Sequence, residues 1–215
     1  VASERDFTFR AVFLDALGTL VELEPPWEHL REVVPTEVSD ERLVAAVREE
    51  MAYYRAHAHE GRDAASLAEL RVRCATVLSD GLGTDVSAEE LVGAVHMRAY
   101  PDSAPALAEL RGRGLKLVVV SNWDCSLGTV LERCGLAELL DGHVSSADAG
   151  ARKPDPAIFA AALALAGCRA EEALHVGDSP EEDLAGAGAA GIEALLLDRS
   201  GAADISSLAE IAERL

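Results

Sequence analysis

The stretch AVFLDALGTL, residues 11–20, sets how the rest of the chain is read. Ala11-Val12-Phe13-Leu14 is a short unbroken apolar run, the pattern of a strand buried on both faces. Asp15 lands at the carboxyl end of that strand, and Gly18 lets the chain turn sharply just beyond it. In an open parallel α/β sheet this edge is where ligands bind.

Downstream, the pattern supplies the rest of such a sheet. Strands are expected at 115–120, 142–145, 173–176 and 192–197, joining the first at about 10–15. Helices fall between them at 103–113, 127–134, 156–166 and 180–190. Alternation of this kind argues for parallel, doubly wound strands. From about residue 21 to Tyr100 the strand-like runs vanish and the chain becomes helical and charged. One amphipathic segment covers 40–59 and a second 64–78. A third starts at Ser87, where Ser87-Ala88-Glu89-Glu90 forms a capping box. Gly81-Leu82-Gly83 is expected to break the second segment from the third. The expected fold class is therefore α/β: a Rossmann-like doubly wound parallel sheet core over 1–20 and 101–215, with an inserted helical cap over 21–100. There is no internal repeat.

Composition narrows the partners. Of 215 residues, 49% are hydrophobic but only 4% aromatic, so Ala, Leu and Val must do most of the packing. Thirty-eight acids against 19 bases give a net charge of -19, which repels a nucleic-acid backbone and an anionic membrane surface. An anionic substrate must be held by local positive groups working against that field. No apolar run approaches the ~20 residues needed to span a bilayer. Cys74, Cys125, Cys134 and Cys168 show neither CxxC pairing nor metal-ligand spacing, and the start lacks a signal-peptide pattern. Free thiols in a reducing cytoplasm are the expectation.

Three further motifs follow strands or open helices. SNWD, 121–124, comes directly after the run Leu115–Val120 and offers the Ser121 hydroxyl and the Asn122 amide to an anion. Taken alone, such a pair is more often a turn. ARKPDP, 151–156, holds Lys153, one of only two lysines in the chain. Asp155 and Pro156 then read as N-cap and first residue of a helix. HVGDSPEED, 175–183, again delivers an acid, Asp178, to the end of a strand. Ser179, Pro180 and Glu182 read as N-cap, first helical residue and capping-box acid, with Asp183 behind them. Paired carboxylates without a nearby base are costly unless a cation neutralises them, and hard oxygen ligands suit Mg²⁺.

In this order the four motifs resemble the haloacid-dehalogenase-like (HAD) hydrolases, specifically members with a helical cap inserted after the first motif. The resemblance implies that Asp15 attacks phosphorus to form an aspartyl-phosphate, which water then hydrolyses. It implies that Ser121 and Asn122 hold phosphoryl oxygens, that Lys153 neutralises the reacting groups, and that Asp15, the Leu17 carbonyl and Asp178 bind Mg²⁺ with Asp183 in support. A carboxylate about 4 Å from a phosphate faces ~4 kcal/mol of repulsion per charge pair at an effective dielectric near 20. A dication and a lysine reverse that sign.

Leu17 departs from the family pattern, which usually places an acid here to protonate the leaving oxygen and activate water. Losing such a group typically costs about 10²–10⁴-fold. The leading reading is a Mg²⁺-dependent phosphatase of a small phosphorylated metabolite, with weakened acid/base catalysis. A 2-haloacid dehalogenase-like hydrolase and a catalytically silent phosphate- or protein-binding member are the alternatives. A Schiff-base phosphonatase is disfavoured, because the cap contains no lysine. Substrate contacts are sought in the polar-aromatic segment 53–63, where Tyr54, Arg55, His57 and Arg62 are the candidates. Trp27 and His29 are placed at the hinge or the cap's entry, His96 and Tyr100 read as packing residues near the return hinge, and His175 is expected to pack inside the sheet. Oligomeric state is not legible.

Overall fold

The computed structural model describes residues 9–215. The first eight residues of the expected core segment lie outside the described residues. In chain order the main elements are β1 (Ala11–Leu14), β2 (Val21–Leu23), α1 (Pro26–Leu30), α2 (Asp40–His57), α3 (Ala64–Leu82), α4 (Ala88–Ala94), β3 (Met97–Ala99), α5 (Ser103–Gly112), β4 (Lys116–Ser121) and α6 (Leu127–Arg133). There follow β5 (Gly142–Ser145), α7 (Ser146–Ala149), α8 (Pro156–Ala166), β6 (Ala173–Gly177), a π-helical turn (Pro180–Ala185), α9 (Gly186–Ala189) and β7 (Glu193–Leu196).

Five strands form a parallel sheet in the order β5-β4-β1-β6-β7. β1 is central, so both of its faces are covered. Its residues alternate between two cores: Val12 and Leu14 join Leu117, Val119, Leu174 and Val176 on one face, while Ala11 and Phe13 join Val118, Val120 and Ala173 on the other. Period-two geometry with apolar residues at every position accounts for the unbroken run in the sequence. Each Leu or Phe fully buried this way contributes roughly 1.5–3 kcal/mol. The chain runs outward from β1 through β4 to β5, then returns to β6 on the other side of β1. The carboxyl ends of β1, β4 and β6 thus meet at a topological switch point, which is where such sheets bind ligands.

Residues 30–94 build a third apolar cluster around α2 and α3, with Leu43, Val47, Leu70 and Leu78 among its buried members. The expectation that the insertion is wholly helical is corrected. β2 and β3 pair antiparallel, Leu23 opposite Met97, and form a short ribbon where the chain enters and leaves the helical unit. Three-residue strands are too short for periodicity to reveal. The expected break at Gly81-Leu82-Gly83 falls at its last residue: α3 runs to Leu82, and Gly83, at φ +69, terminates it with its N–H on the Ser79 carbonyl. Gly81 is there for proximity, since a Cβ would sit 2.8 Å from the Ala46 Cβ of α2.

No helix among the described residues is long and apolar enough to cross a membrane. All four cysteines are free.

Candidate active site

Asp15 extends the ladder of β1, its N–H donating to the Val176 carbonyl of β6 at 2.9 Å. That bond aims its side chain past the strand end, where Oδ1 accepts from the Ser121 hydroxyl at 2.9 Å and from Lys153 Nζ at 2.6 Å. Lys153 is 1% exposed and also donates to Asp183 Oδ1 at 2.6 Å. One ammonium thus bridges two carboxylates contributed by β1 and by the turn after β6. Asn122 holds the lysine's backbone: its Nδ2 donates to the Lys153 carbonyl at 3.1 Å and its Oδ1 accepts the Lys153 N–H at 2.7 Å.

His175 faces the same core as Phe13, and its ring meets Phe159 edge-on. It is more than a packing residue, for its Nε2–H donates to Asp183 Oδ1 at 2.8 Å. Burial holds its pKa below the ordinary histidine value, outweighing the pull of Asp183. Burial alone would raise Asp183, but Lys153 and then His175 hold it well below the usual carboxylate range. Asp15 goes the other way: burial lifts it, and Lys153 opposes that lift while the Asp183 charge adds to it. Burial also works against the Lys153 ammonium, but Asp15 and Asp183 outweigh it and keep the lysine charged.

The helix start after β6 differs from its expected form. Ser179 does cap it, its hydroxyl accepting from the Glu182 N–H at 3.1 Å. The reciprocal acid is Asp183, whose Oδ2 accepts the Ser179 N–H at 3.0 Å, whereas Glu182 turns outward to Arg152. A π-turn produces the change. Asp183 and Leu184 both donate their N–H to the Ser179 carbonyl, and this wide turn swings Asp183 inward.

Asp15, Asp178 and Asp183 each place a carboxylate oxygen within one 4.8 Å group. Gly18, at φ +88, makes this possible: a Cβ there would overlap the Asp178 carboxylate. Burial and the nearby Asp15 and Asp183 charges push Asp178 up to about 6. One ammonium against three carboxylates would leave two negative charges in excess with all three ionised, a load that the raised pKa values of Asp15 and Asp178 reflect. This set of hard oxygens fits a dication of the Mg²⁺ class.

Above these groups opens a cleft of about 1380 Å³, lined from below by Asp15, Leu17 and Ser121 and from above by Tyr54, Arg55 and Arg71. Tyr54 donates its hydroxyl to Asp124 Oδ2 at 2.8 Å, and the Cys125 N–H donates to the Gly61 carbonyl at 2.8 Å. These bonds join the helical unit to the loop after β4. His57 and Arg62, two of the expected specificity residues, do not line the cleft. The His57 ring stacks on Tyr53 and its Nδ1–H donates to the Tyr53 carbonyl, while Arg62 points into solvent from the turn before α3. Sequence reasoning misses Arg71 and Glu50, which line the cleft in their place. Glu50 sits one helical turn before Tyr54, which is the signal that could have found it.

Glu50 is 7% exposed, and burial pushes it up to about 6 against the opposing contact of the Cys74 thiol. A folded-state pKa above the unfolded value near 4.5 means that stability is lost as pH rises through about 6. Glu50→Gln, which cannot ionise, is therefore expected to exceed the wild type by about 2 kcal/mol at pH ~8 and to match it at pH ~4.5. Chemical denaturation at both values checks this, and equal stabilities at both would refute it.

A family model described as haloacid dehalogenase-like hydrolase matches residues 9–191. Among curated proteins, a ribulose-1,5-bisphosphate 5-phosphatase of Halopiger xanaduensis is 36% identical over 115 residues, 53% of this chain and 48% of the relative. The chain spans about half the length, or less, of the first curated relatives it matches. Among solved structures, a HAD phosphatase from Thermococcus onnurineus is 25% identical with a TM-score of 0.66, covering 96% of this chain and 97% of the other. A 2-haloacid dehalogenase from Pseudomonas syringae is 27% identical with a TM-score of 0.64 over the same shares.

Proposed function

Since the chain belongs to the haloacid dehalogenase-like hydrolases, we propose that it is a Mg²⁺-dependent phosphatase of small phosphorylated metabolites, with Asp15 as nucleophile and residues 21–100 as its cap. The observation that carries this reading is the convergence of three carboxylates, Asp15, Asp178 and Asp183, around the single ammonium of Lys153. A dication restores balance there, and the metal-free attack of a dehalogenase does not call for it. Phosphatase names among the relatives support the same choice.

Asp15 Oδ2 is the free oxygen of the nucleophile, because Oδ1 is held by Ser121 and Lys153. It attacks phosphorus, the bond to the leaving oxygen breaks, and an aspartyl-phosphate forms on Asp15. The Ser121 hydroxyl, turning its one proton from Asp15 Oδ1, and the Asn122 N–H hold the phosphoryl oxygens, and Lys153 offsets the charge that gathers on them. Asp15, Asp178 and the Leu17 carbonyl would hold Mg²⁺, with Asp183 in support, and the ion supplies charge neutralisation that lets two anions approach. Water then cleaves the acyl-phosphate bond and returns the Asp15 carboxylate.

Leu17 brings no proton to the leaving oxygen. Its side chain packs against the core under the cleft. Substrates whose leaving groups depart unprotonated are therefore favoured. Leu17→Asp is expected to raise kcat on alkyl phosphates by about 10²-fold, the lower end of what a placed acid contributes, with little gain on aryl or acyl phosphates. Equal gains on all three classes would contradict this account.

Phosphate release from a panel of phosphomonoesters and acyl phosphates, with Mg²⁺ and with chelator, tests the proposal. Mg²⁺-dependent release is expected. The second reading rests on Leu17 and on the likeness to the Pseudomonas syringae dehalogenase. Halide release from a 2-haloacid that persists in chelator, without phosphate release, would establish that reading and overturn ours.

A further inference from the structure

A second group of metal-binding side chains lies on the β2–β3 ribbon, apart from the nucleophile. Glu24 follows β2 and His96 precedes β3, and the Glu24 N–H donates to the His96 carbonyl at 2.9 Å, so the two face each other across the ribbon. Pro25-Pro26 turn the chain back at once into α1, which carries His29. The His29 ring stacks on that of His96 with centroids 3.9 Å apart and planes 24° apart. Both rings address one oxygen: Glu24 Oε2 lies 3.5 Å from His29 Nε2 and 3.9 Å from His96 Nδ1. The three ligand atoms all fall within 4.8 Å of one another.

The His96 tautomer sharpens the point. Its Nε2–H donates to the Gly93 carbonyl at 2.9 Å. In the neutral ring, Nδ1 is then a bare lone pair facing a carboxylate, which is repulsive unless a cation stands between them. A proton on one ring would serve that ring alone, whereas a metal ion serves both rings and the carboxylate. A backbone carbonyl holding the far nitrogen is the usual support of a ligating histidine. Ligand atoms of a tetrahedral Zn²⁺ at ~2.0–2.1 Å stand about 3.4 Å apart, close to the two distances present. These side chains are one-third to one-half exposed, so the two rings can splay from their stack and turn both lone pairs onto one ion. Two imidazoles and one carboxylate favour Zn²⁺ over Mg²⁺.

We propose that Glu24, His29 and His96 form a binding site for a borderline divalent transition metal of the Zn²⁺ class, which ties α1 to the ribbon between the sheet domain and the helical unit. Glu24 and His96 also line the cleft that holds Asp15. An ion here therefore restrains both connections to the helical unit from the rim of the candidate active site. Metal binding by these three side chains does not depend on what Asp15 does.

The test is Zn²⁺ titration of the full chain against a chromophoric chelator, under reducing conditions and in excess Mg²⁺ to occupy the acidic site. One equivalent is expected, with affinity lowered about 100-fold or more in His29→Ala, His96→Ala and Glu24→Gln, and unchanged in Asp178→Asn. Thermal unfolding without zinc verifies that each variant is folded, and zinc should raise the wild-type Tm but not theirs. Co²⁺ in place of Zn²⁺ should give visible d–d bands without thiolate charge transfer. Zinc uptake equal in wild type and the three variants, no uptake at micromolar free Zn²⁺, or a thiolate band would each overturn the site.

Discussion

Lys153→Met is expected to lower stability by about 3–5 kcal/mol at neutral pH, a fall in Tm of roughly 6–20 °C for a domain of this size. The lysine is 1% exposed and its ammonium is bonded to both Asp15 and Asp183 at 2.6 Å. Methionine keeps much of the volume but removes the charge, leaving two carboxylates in a dry site beside a neutral His175. The loss is expected to depend on pH. In the wild type Asp183 is held below the ordinary carboxylate value, so it contributes stability above the unfolded pKa that is lost as pH falls through the folded one. Without Lys153, burial raises it instead, and ionised Asp183 becomes a cost that grows as pH rises. The gap between the two proteins should be widest near pH ~8 and shrink toward pH ~4.5, with metal chelated throughout. A gap of constant size would show that Lys153 acts through packing. Phosphatase turnover is expected to fall by about 10²–10³-fold or more, the cost of losing one placed donor.

Asp15→Asn is expected to reduce phosphate release by about 10⁴-fold or more, because the amide cannot form the covalent intermediate. The fold should tolerate it. The amide is nearly isosteric with the carboxylate, its carbonyl oxygen can still accept from Ser121, and Lys153 keeps Asp183. A near-wild-type Tm together with lost turnover is the expected pair of results. Retention of a tenth or more of the activity would remove Asp15 from the role of nucleophile, whatever the metal dependence.

Much of this is legible in the sequence because it is local. Four of the five sheet strands announce themselves as short apolar runs, and Asp15, Ser121 and Asp178 follow three of them directly. Lys153 stands out by rarity, one of two lysines in an acidic chain. What escapes such a reading depends on residues distant in the chain or on the detailed path of the backbone. The break at 81–83 is legible, but that Gly81 itself stays helical and lets α3 approach Ala46 on another helix is not. Glu182 reads as the capping acid, a role that Asp183 takes because a π-turn shifts the register by one residue. His57 and Arg62 read as substrate contacts, but the His57 ring folds back onto Tyr53 and Arg62 leaves on the turn into α3, so Glu50 and Arg71 line the cleft instead.

Hydrophobic period and turn chemistry act over a few residues, and they suffice for the sheet, the order of its motifs and the acid at the end of β1. It took the folded chain to show that one buried ammonium bridges Asp15 and Asp183, that Asn122 serves Lys153 through a paired backbone contact, and that Glu24, His29 and His96 meet. Electrostatic energy depends on separation and burial in space, and the partners here are 30 to 138 positions apart in the chain or joined across the ribbon.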